Sequence, residues 1–472
     1  MVDAALTSPV HRSLTLSTLD QRQPRQATGL GMIRQTFNRL WNSEKGSAMI
    51  IAAAAFPMIV ASAGLATDTI QWALWKRQLQ RAADSAAIAG VYTRVKNDDT
   101  TAVNSAVTSD IAINQHTGIA LLNPPTIQLL ADSGDMLDRV QVGLEVRQSL
   151  PFSSMFMASA PIIRANAVAA SVPGSDEYCV ITLEPSATKT GITIGGNSKI
   201  SMNCGMISNS PSANSALSNG NSSSVTASVI AAVGAVQASS TWDVDKYDPY
   251  TTPVEDPYGS INPTATEMSG CAVNPPSATE ATSVPSGAAT LCFDSINVAS
   301  GETLNLGSNK TIYVTGKNAN TAGDVVLHGT LKCTNCTIVL TNKDLSPTAK
   351  IGTFDMQAQA ALQISAPTGS TDKYRGIAVF QDRRAGDVNG ANSPNKFNGG
   401  GAQVIEGALY FPSQAVTYNG SGTATAVCTR FVTRRIIFSG TSAATNYFEK
   451  GSNCAGSGLD PIGGGRRVRL VA

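Results

Sequence analysis

Charge is scarce in this chain. Asp, Glu, Lys and Arg make up 14% of its 472 residues, against roughly 25% in ordinary soluble domains. The two signs nearly cancel, at a formal net charge of +1, so no electrostatic basis exists for a nucleic-acid partner. Aromatic residues are sparse, at 6%, and histidine occurs only at His11, His116 and His328. Histidines so scattered build no Ser–His–Asp set, and no phosphate-binding glycine loop is present. The run 463–467 near the C-terminus is glycine-rich but lacks a strand–helix context, and it leads into an expected last strand at 468–471. No catalytic residue, metal or cofactor is expected. Gly, Ser, Thr, Asn and Ala take the place of charge, a composition that suits β-rich domains with many turns and suits large helical bundles poorly.

Cysteine is absent before Cys179 and then occurs eight times, at Cys179, Cys204, Cys271, Cys292, Cys333, Cys336, Cys428 and Cys454. An even number, confined to the later part of the chain, points to disulfides in an oxidising compartment. Spacing alone leaves their pairing open. Cys333 and Cys336 form a C-x-x-C motif between two strand candidates, where a structural disulfide is favoured over a redox motif that would open a helix. Zinc has little support, since no second C-x-x-C exists and His328 is the nearby histidine.

The run 46–67 holds no charged residue. As a helix it extends about 33 Å at about 1.5 Å per residue, enough for a bilayer core. Met49, Ile50, Ile51, Phe56, Met58, Ile59, Val60 and Leu65 supply the apolar surface, and Pro57 is tolerable in a membrane helix. Ala61-Ser62-Ala63 fits a small-x-small cleavage pattern, but the leader is long and the apolar run exceeds a signal-peptide core. Near the membrane the cations tie, with Arg34, Arg39 and Lys45 before the run and Lys76, Arg77 and Arg81 after it. The cysteines decide the orientation: N-terminus cytoplasmic, body periplasmic, in a single-pass inner-membrane protein.

The stretch 44–93 is more specific. Its marks are Gly46 opening the apolar run, Pro57 within it, and Gly64 and Asp68 at its exit. Leu79, Gln80, Ala82, Ala83, Asp84 and Ala86 follow. This resembles the N-terminal segment of TadG-like proteins of Flp pilus assembly, the tight-adherence apparatus. Trp75, Leu79, Ala82 and Ala86 recur at helical spacing, so the membrane helix is expected to continue as an amphipathic helix. Asp68, at the bilayer exit, is expected to be a solvated interfacial acid. Pilin-type precursors carry a glutamate five residues after the cleaved glycine; here Ile51 stands there. The Asp-x-Ser-x-Ser metal site of a von Willebrand A domain is also missing.

Five segments are expected: a cytoplasmic stretch 1–45, the membrane helix 46–67, a pilin-like α/β unit 68–172, a disulfide-bearing β-rich domain 173–458, and a tail 459–472 with a last strand. In the second unit, 126–130, 140–146 and 162–172 read as strands and 151–157 as a helical turn or two. From Cys179 onward, short apolar strands alternate with Gly, Asn and Ser, as at 191–198, 222–226, 304–309, 337–342 and 416–421. That pattern suggests irregular coils of a right-handed parallel β-helix, with a β-sandwich as the alternative. The segment 237–290, rich in Pro, Ser, Thr and Asp, reads as a long loop or linker.

Asp372, Arg375, Asp382, Arg383 and Asp387 form the densest charged group of the body. A carboxylate pair there would suit glycosidic acid–base work; surface ion pairs on a polar turn are favoured. The resemblance implies a non-enzymatic membrane-anchored envelope component of pilus assembly, with a scaffolding or adhesion role. Its implied partners are the inner membrane and other pilus-assembly proteins, with cell-wall or surface glycan as a further class. The alternatives are a β-helical carbohydrate-active enzyme or glycan-binding module, and an anchored surface adhesin that works without pili.

Overall fold

The computed structural model describes residues 46–114, 120–174, 176–220, 222–285, 287–387, 393–398, 403–419, 424–426, 428–440, 443–446, 454, 456–460, 462 and 464–471. The segment 1–45, His11, His116 and Gly463 lie outside the described residues. One long apolar helix leads into a mostly β body. Contacts divide the described residues into two compact units, one of 46–75 with 148–161, the other drawn from 76–147 and 162–471.

Helix α1 spans Gly46–Lys96 with Pro57 inside it, and Arg94 and Lys96 in the last turn suit the negative end of the helix dipole. Its first half is long and apolar enough to cross a membrane. Ile51, Phe56, Met58, Ile59, Leu65, Ile70 and Leu74 are all exposed there. Its second half is buried along one stripe: Leu79, Ala83, Ala86, Ala87 and Val91. The stripe has the expected helical period but runs through Ala83, while Ala82 is only half-buried.

A second helix, α2 (Thr100–Asn114), was not signalled by the strand patterns around it. Asp99 caps it, accepting the amides of Thr101 and Ala102 at 3.1 and 3.3 Å. Val103, Val107 and Ile111, four apart, form its buried face. Strands β1 (Thr126–Leu129), β2 (Leu137–Arg147) and β3 (Ile162–Gly174) then build an antiparallel sheet. The C-terminal strand Gly464–Leu470 completes it, pairing antiparallel with β3 through Val468 and Ser171. It therefore begins before the expected 468–471 and returns the tail to the sheet near the start of the chain. Val140, Val142, Leu144 and Val146 alternate inward along β2. Gly90 of α1 permits close approach: a β-carbon there would meet side-chain atoms of Val140 at 2.9 Å and Val107 at 3.0 Å.

The remaining twenty described strands form a single closed hydrogen-bonded system in which every strand pair is parallel. Residue stacks on residue from strand to strand, and apolar residues line up in rows. One row runs Ile312, Ile338, Val379, Leu409, Phe431, Val180, Met206, Ile230; all eight are buried. A second runs Val298, Leu327, Met356, Phe397, Tyr418, Phe438, Ile194. Aromatic packing accompanies it, with Phe354 stacked on Phe397 at 4.9 Å and 7°.

The order along these rows is not chain order. The strand Tyr178–Thr182 pairs with Thr429–Phe438, the late partner lying against the early one. From Tyr178 the chain builds one way as far as the strand Trp242–Pro249, which pairs with Ser224–Ala232. It then crosses and starts again at Thr290–Phe293, building back until it meets its own first strand. The loop expected at 237–290 is corrected at its start, because Trp242–Pro249 is a strand. Asp243 and Asp245 take exposed positions and Asp248 a half-buried one, and that run of polar residues resembles a loop in sequence. The crossing segment is pinned throughout. Asn209 and Val254 exchange two hydrogen bonds, Lys373 pairs with Glu267 at 2.6 Å, and Lys343 donates to the Cys271 carbonyl at 2.9 Å.

Four disulfides join Cys179 to Cys204, Cys271 to Cys292, Cys333 to Cys336, and Cys428 to Cys454. The second ties the crossing segment to the strand at which building restarts. The third lies inside the strand Thr330–Leu340, with both cysteines buried.

Candidate functional site

The most distinctive polar site lies where α1 loses its apolar character. Gly64 has no side chain, and the ring of Phe152 occupies the space a β-carbon would take. One helical turn later stands Asp68. The loop between β2 and β3 turns at Pro151 and forms a 3-10 turn over Ser153–Met155, with the Ser154 amide donating to Leu150 at 2.9 Å. That turn leaves the amides of Phe152 and Ser153 free to point outward, and Asp68 accepts both, the first at 3.0 Å. The Ser153 hydroxyl donates to the same carboxylate. Asp68 is 2% exposed, which corrects the expectation of a solvated acid: the loop covers it and supplies neutral donors. The same turn leaves Met155 and Phe156 about three-quarters exposed, at 75% and 76%. Nothing local in the sequence marks this contact, because the partners are separated by 84 and 85 positions.

Further along α1, Gln80 donates to Asp84 and to the Asn166 carbonyl, both at 2.8 Å. Ser85 donates to Asp110 of α2 at 3.1 Å. Ala83 and Ala86 are fully buried. These side chains fix α1 on the sheet.

The charged group of the body does not converge. Asp382 is 5% exposed and accepts from Thr341 and from the Arg384 guanidinium, both at 2.7 Å, and from the Arg384 amide at 3.0 Å. Burial pushes its carboxyl up, but the Arg384 and Thr341 hydrogen bonds outweigh this and hold it below the usual range. A glycosidic general acid must keep its proton near neutrality; this carboxyl is tuned the opposite way. Arg375 pairs with Asp460 at 2.6 Å, and Asp372 accepts the Gly369 amide at 3.1 Å. Arg383 reaches into the crossing segment, donating to the Ile261 carbonyl at 2.6 Å and contacting the Tyr258 carbonyl and the Tyr410 hydroxyl.

Asp387 belongs to a different cluster, missed in sequence because its centre is Glu184. Glu184 is fully buried and bound by Arg434 at 3.1 Å and by Arg435. Arg435 also holds Asp387 at 2.6 Å, and Lys189 pairs with Asp387 at 2.8 Å. Burial raises both carboxyls, yet the guanidinium hydrogen bonds prevail; Glu184 lies below its ordinary range and Asp387 is lowered to about 2. This cluster stands where the late strand Thr429–Phe438 meets the early strand Tyr178–Thr182, and it joins the two.

A cleft of about 510 Å³ is lined by Val95, Leu137, Asp138, Pro253, Ile462 and Arg466 among others. Burial is the main influence raising the Asp138 carboxyl, helped by Asp132 and Asp98 and opposed by Arg94 and Arg466. The Arg466 guanidinium is occupied by the Ser171 hydroxyl at 3.0 Å and the carbonyls of Asp135 and Ser171. Among the described residues, no group of three or more His, Cys, Asp and Glu is placed to hold a metal ion.

Residues 46–94 match the model of a family described as putative Flp pilus-assembly TadE/G-like. No curated protein and no solved structure matches the chain.

Proposed function

We propose that this chain is a non-enzymatic, membrane-anchored component of Flp pilus assembly that carries its β body into the periplasm. The observation that carries this is the family match over 46–94, which coincides with the apolar half of α1 and its docked continuation. The four disulfides favour an oxidising compartment for the body. That leaves residues 1–45 in the cytoplasm and 46–67 in the inner membrane.

The unit 68–172 is taken as pilin-like, a helix laid on an antiparallel sheet, and the last strand of the tail 459–472 belongs with it. For 173–458 the parallel pairing and stacked apolar rows support a right-handed parallel β-helix. An antiparallel sandwich would pair its strands differently. A coil stack of that kind is rigid and long, properties that suit a scaffold or adhesion module contacting other pilus-assembly proteins or wall glycan. A carbohydrate-cleaving role has no comparable support, since Asp382 and Asp387 are committed to ion pairs that hold the body together.

Deleting the gene and counting surface fibres by electron microscopy, with an adhesion assay on the same cells, tests the proposal. Fibres should be lost, then restored by the full-length chain and not by one lacking 46–67. Unchanged fibres and unchanged adhesion would overturn it.

A further inference from the structure

Between Lys45 and Lys76 the chain has one charged residue, Asp68. As helix, 46–75 extends about 45 Å, longer than the roughly 30 Å hydrocarbon core and close to the 40–45 Å of a bilayer with its headgroups. The uncharged 46–67 fills the core, and 68–75 then lies at headgroup depth. Trp72 and Trp75 fall in that zone, where tryptophan is enriched, and Ile70, Trp72 and Leu74 are exposed there. Asp68 is 2% exposed there, and a carboxylate removed from water is costly unless it is satisfied. Asp68 is satisfied by the 151–157 loop, whose Phe152 ring sits against Gly64, one turn deeper than Asp68.

The outward side of that loop is apolar. Met155, Phe156 and Met157 are exposed by 75%, 76% and 50%, and Phe156 packs on Phe152 at 5.3 Å. Loop and helix end belong to one compact unit, so this apolar surface is continuous with that of the membrane helix. We propose that the 151–157 loop is a membrane-interface foot, with Met155, Phe156 and Met157 seated in the headgroup–acyl boundary of the leaflet through which α1 leaves. The proposal rests on α1 spanning the bilayer. It assigns Asp68 a purpose: to hold the foot at the depth where its side chains meet lipid.

The test is nitroxide accessibility in the full-length protein, reconstituted into phosphatidylcholine nanodiscs. The described cysteines are all in disulfides, so a label directs itself to an introduced cysteine. Sites are Phe156→Cys and Met157→Cys in the foot, Leu65→Cys in the span and Val273→Cys, 82% exposed, as the aqueous reference. The two foot sites should collide with a water-soluble nickel chelate severalfold less often than Val273, and with oxygen more often. Nickel collisions equal to those at Val273, at both foot sites, would overturn the proposal. So would poor access to both reagents, the signature of a second protein copy covering the loop. If Leu65 is also open to nickel, the membrane span itself fails. If Leu65 faces lipid and the foot faces water, only the foot fails. The second foot site guards against one variant misfolding.

Discussion

Asp68 and Glu184 are both carboxylates removed from water, yet the two regions answer the same problem differently. At the helix exit, Asp68 is satisfied by two loop amides and a serine hydroxyl, with no cation within its hydrogen bonds. In the body, Glu184 is held by two guanidiniums, one of which also holds Asp387. Neutral donors satisfy a carboxylate without bringing a second charge into an apolar setting. Guanidiniums add strong, directional bonds where two strands must find each other. That need is acute at Glu184, because Arg434 lies 250 positions away and chain order alone does not bring these strands together.

The sharpest way to break the comparison is to remove the body's carboxylate. Glu184→Ala leaves Arg434 and Arg435 short of a buried partner, and losing one member of a buried pair costs about 3–5 kcal/mol. Thermal unfolding of the detergent-solubilised full chain should show a large drop in midpoint, while Glu184→Gln, which keeps an acceptor, should lose less. Acid probes the same cluster. Glu184 and Asp387 titrate lower in the folded than in the unfolded chain, so the stability they confer is complete above their unfolded values near pH 4. It is lost as pH falls from there toward about 2. The unfolding midpoint should decline across that window, and Glu184→Gln with Asp387→Asn should flatten the decline. A double variant with an unchanged profile would place the acid sensitivity elsewhere.

These two clusters also mark where the sequence stops being informative. The strands of the N-terminal sheet were legible because Val140, Val142, Leu144 and Val146 alternate with polar neighbours, and that pattern is local. The apolar run of α1 was legible from the lack of charge alone. The oxidised state of the cysteines followed from their number and position, and their pairing did not, because it depends on which coils lie adjacent. The meeting of Phe431 with Val180 is set by tertiary packing and leaves no fixed period to detect. Helix α2 did leave a signal, Asp99 ahead of Val103, Val107 and Ile111, masked by the Ser, Thr and Asn around it. Asp68 was misplaced in solvent because a single acid after an apolar run carries no trace of a loop that arrives so much later to cover it.

A second way to sharpen the comparison concerns how the body restarts after its crossing. Cys271–Cys292 closes a loop with a sequence separation of 21, for which chain entropy predicts about 3 kcal/mol. Replacing both cysteines with Ala should lower the unfolding midpoint by less than Glu184→Ala does. It should leave the foot unaffected, since the two lie in different compact units. Limited proteolysis should find new cuts within 259–289 and none within 148–161. Cuts in both would mean that the units unfold together.

The smallest effect is expected at the helix exit, and it is the most local. Asp68→Ala removes the acceptor for two amides and a hydroxyl, a loss of about 1–3 kcal/mol for the groups left without a partner. Little of it should appear in the unfolding of the body, because loops open by local fluctuation with free energies of their own. Hydrogen exchange is therefore the informative measurement: the amides of Phe152 and Ser153 should exchange faster by about ten- to a hundredfold, while those of Val140 and Val142 in β2 keep their rates. Asp68→Asn retains one carbonyl oxygen and should recover part of the protection, because its acceptor is neutral like its donors. The corresponding amide at Glu184 should recover much less, because guanidiniums bind a carboxylate more strongly than an amide oxygen. That unequal rescue by the same chemical change is what separates a carboxylate held by dipoles from one held by charge.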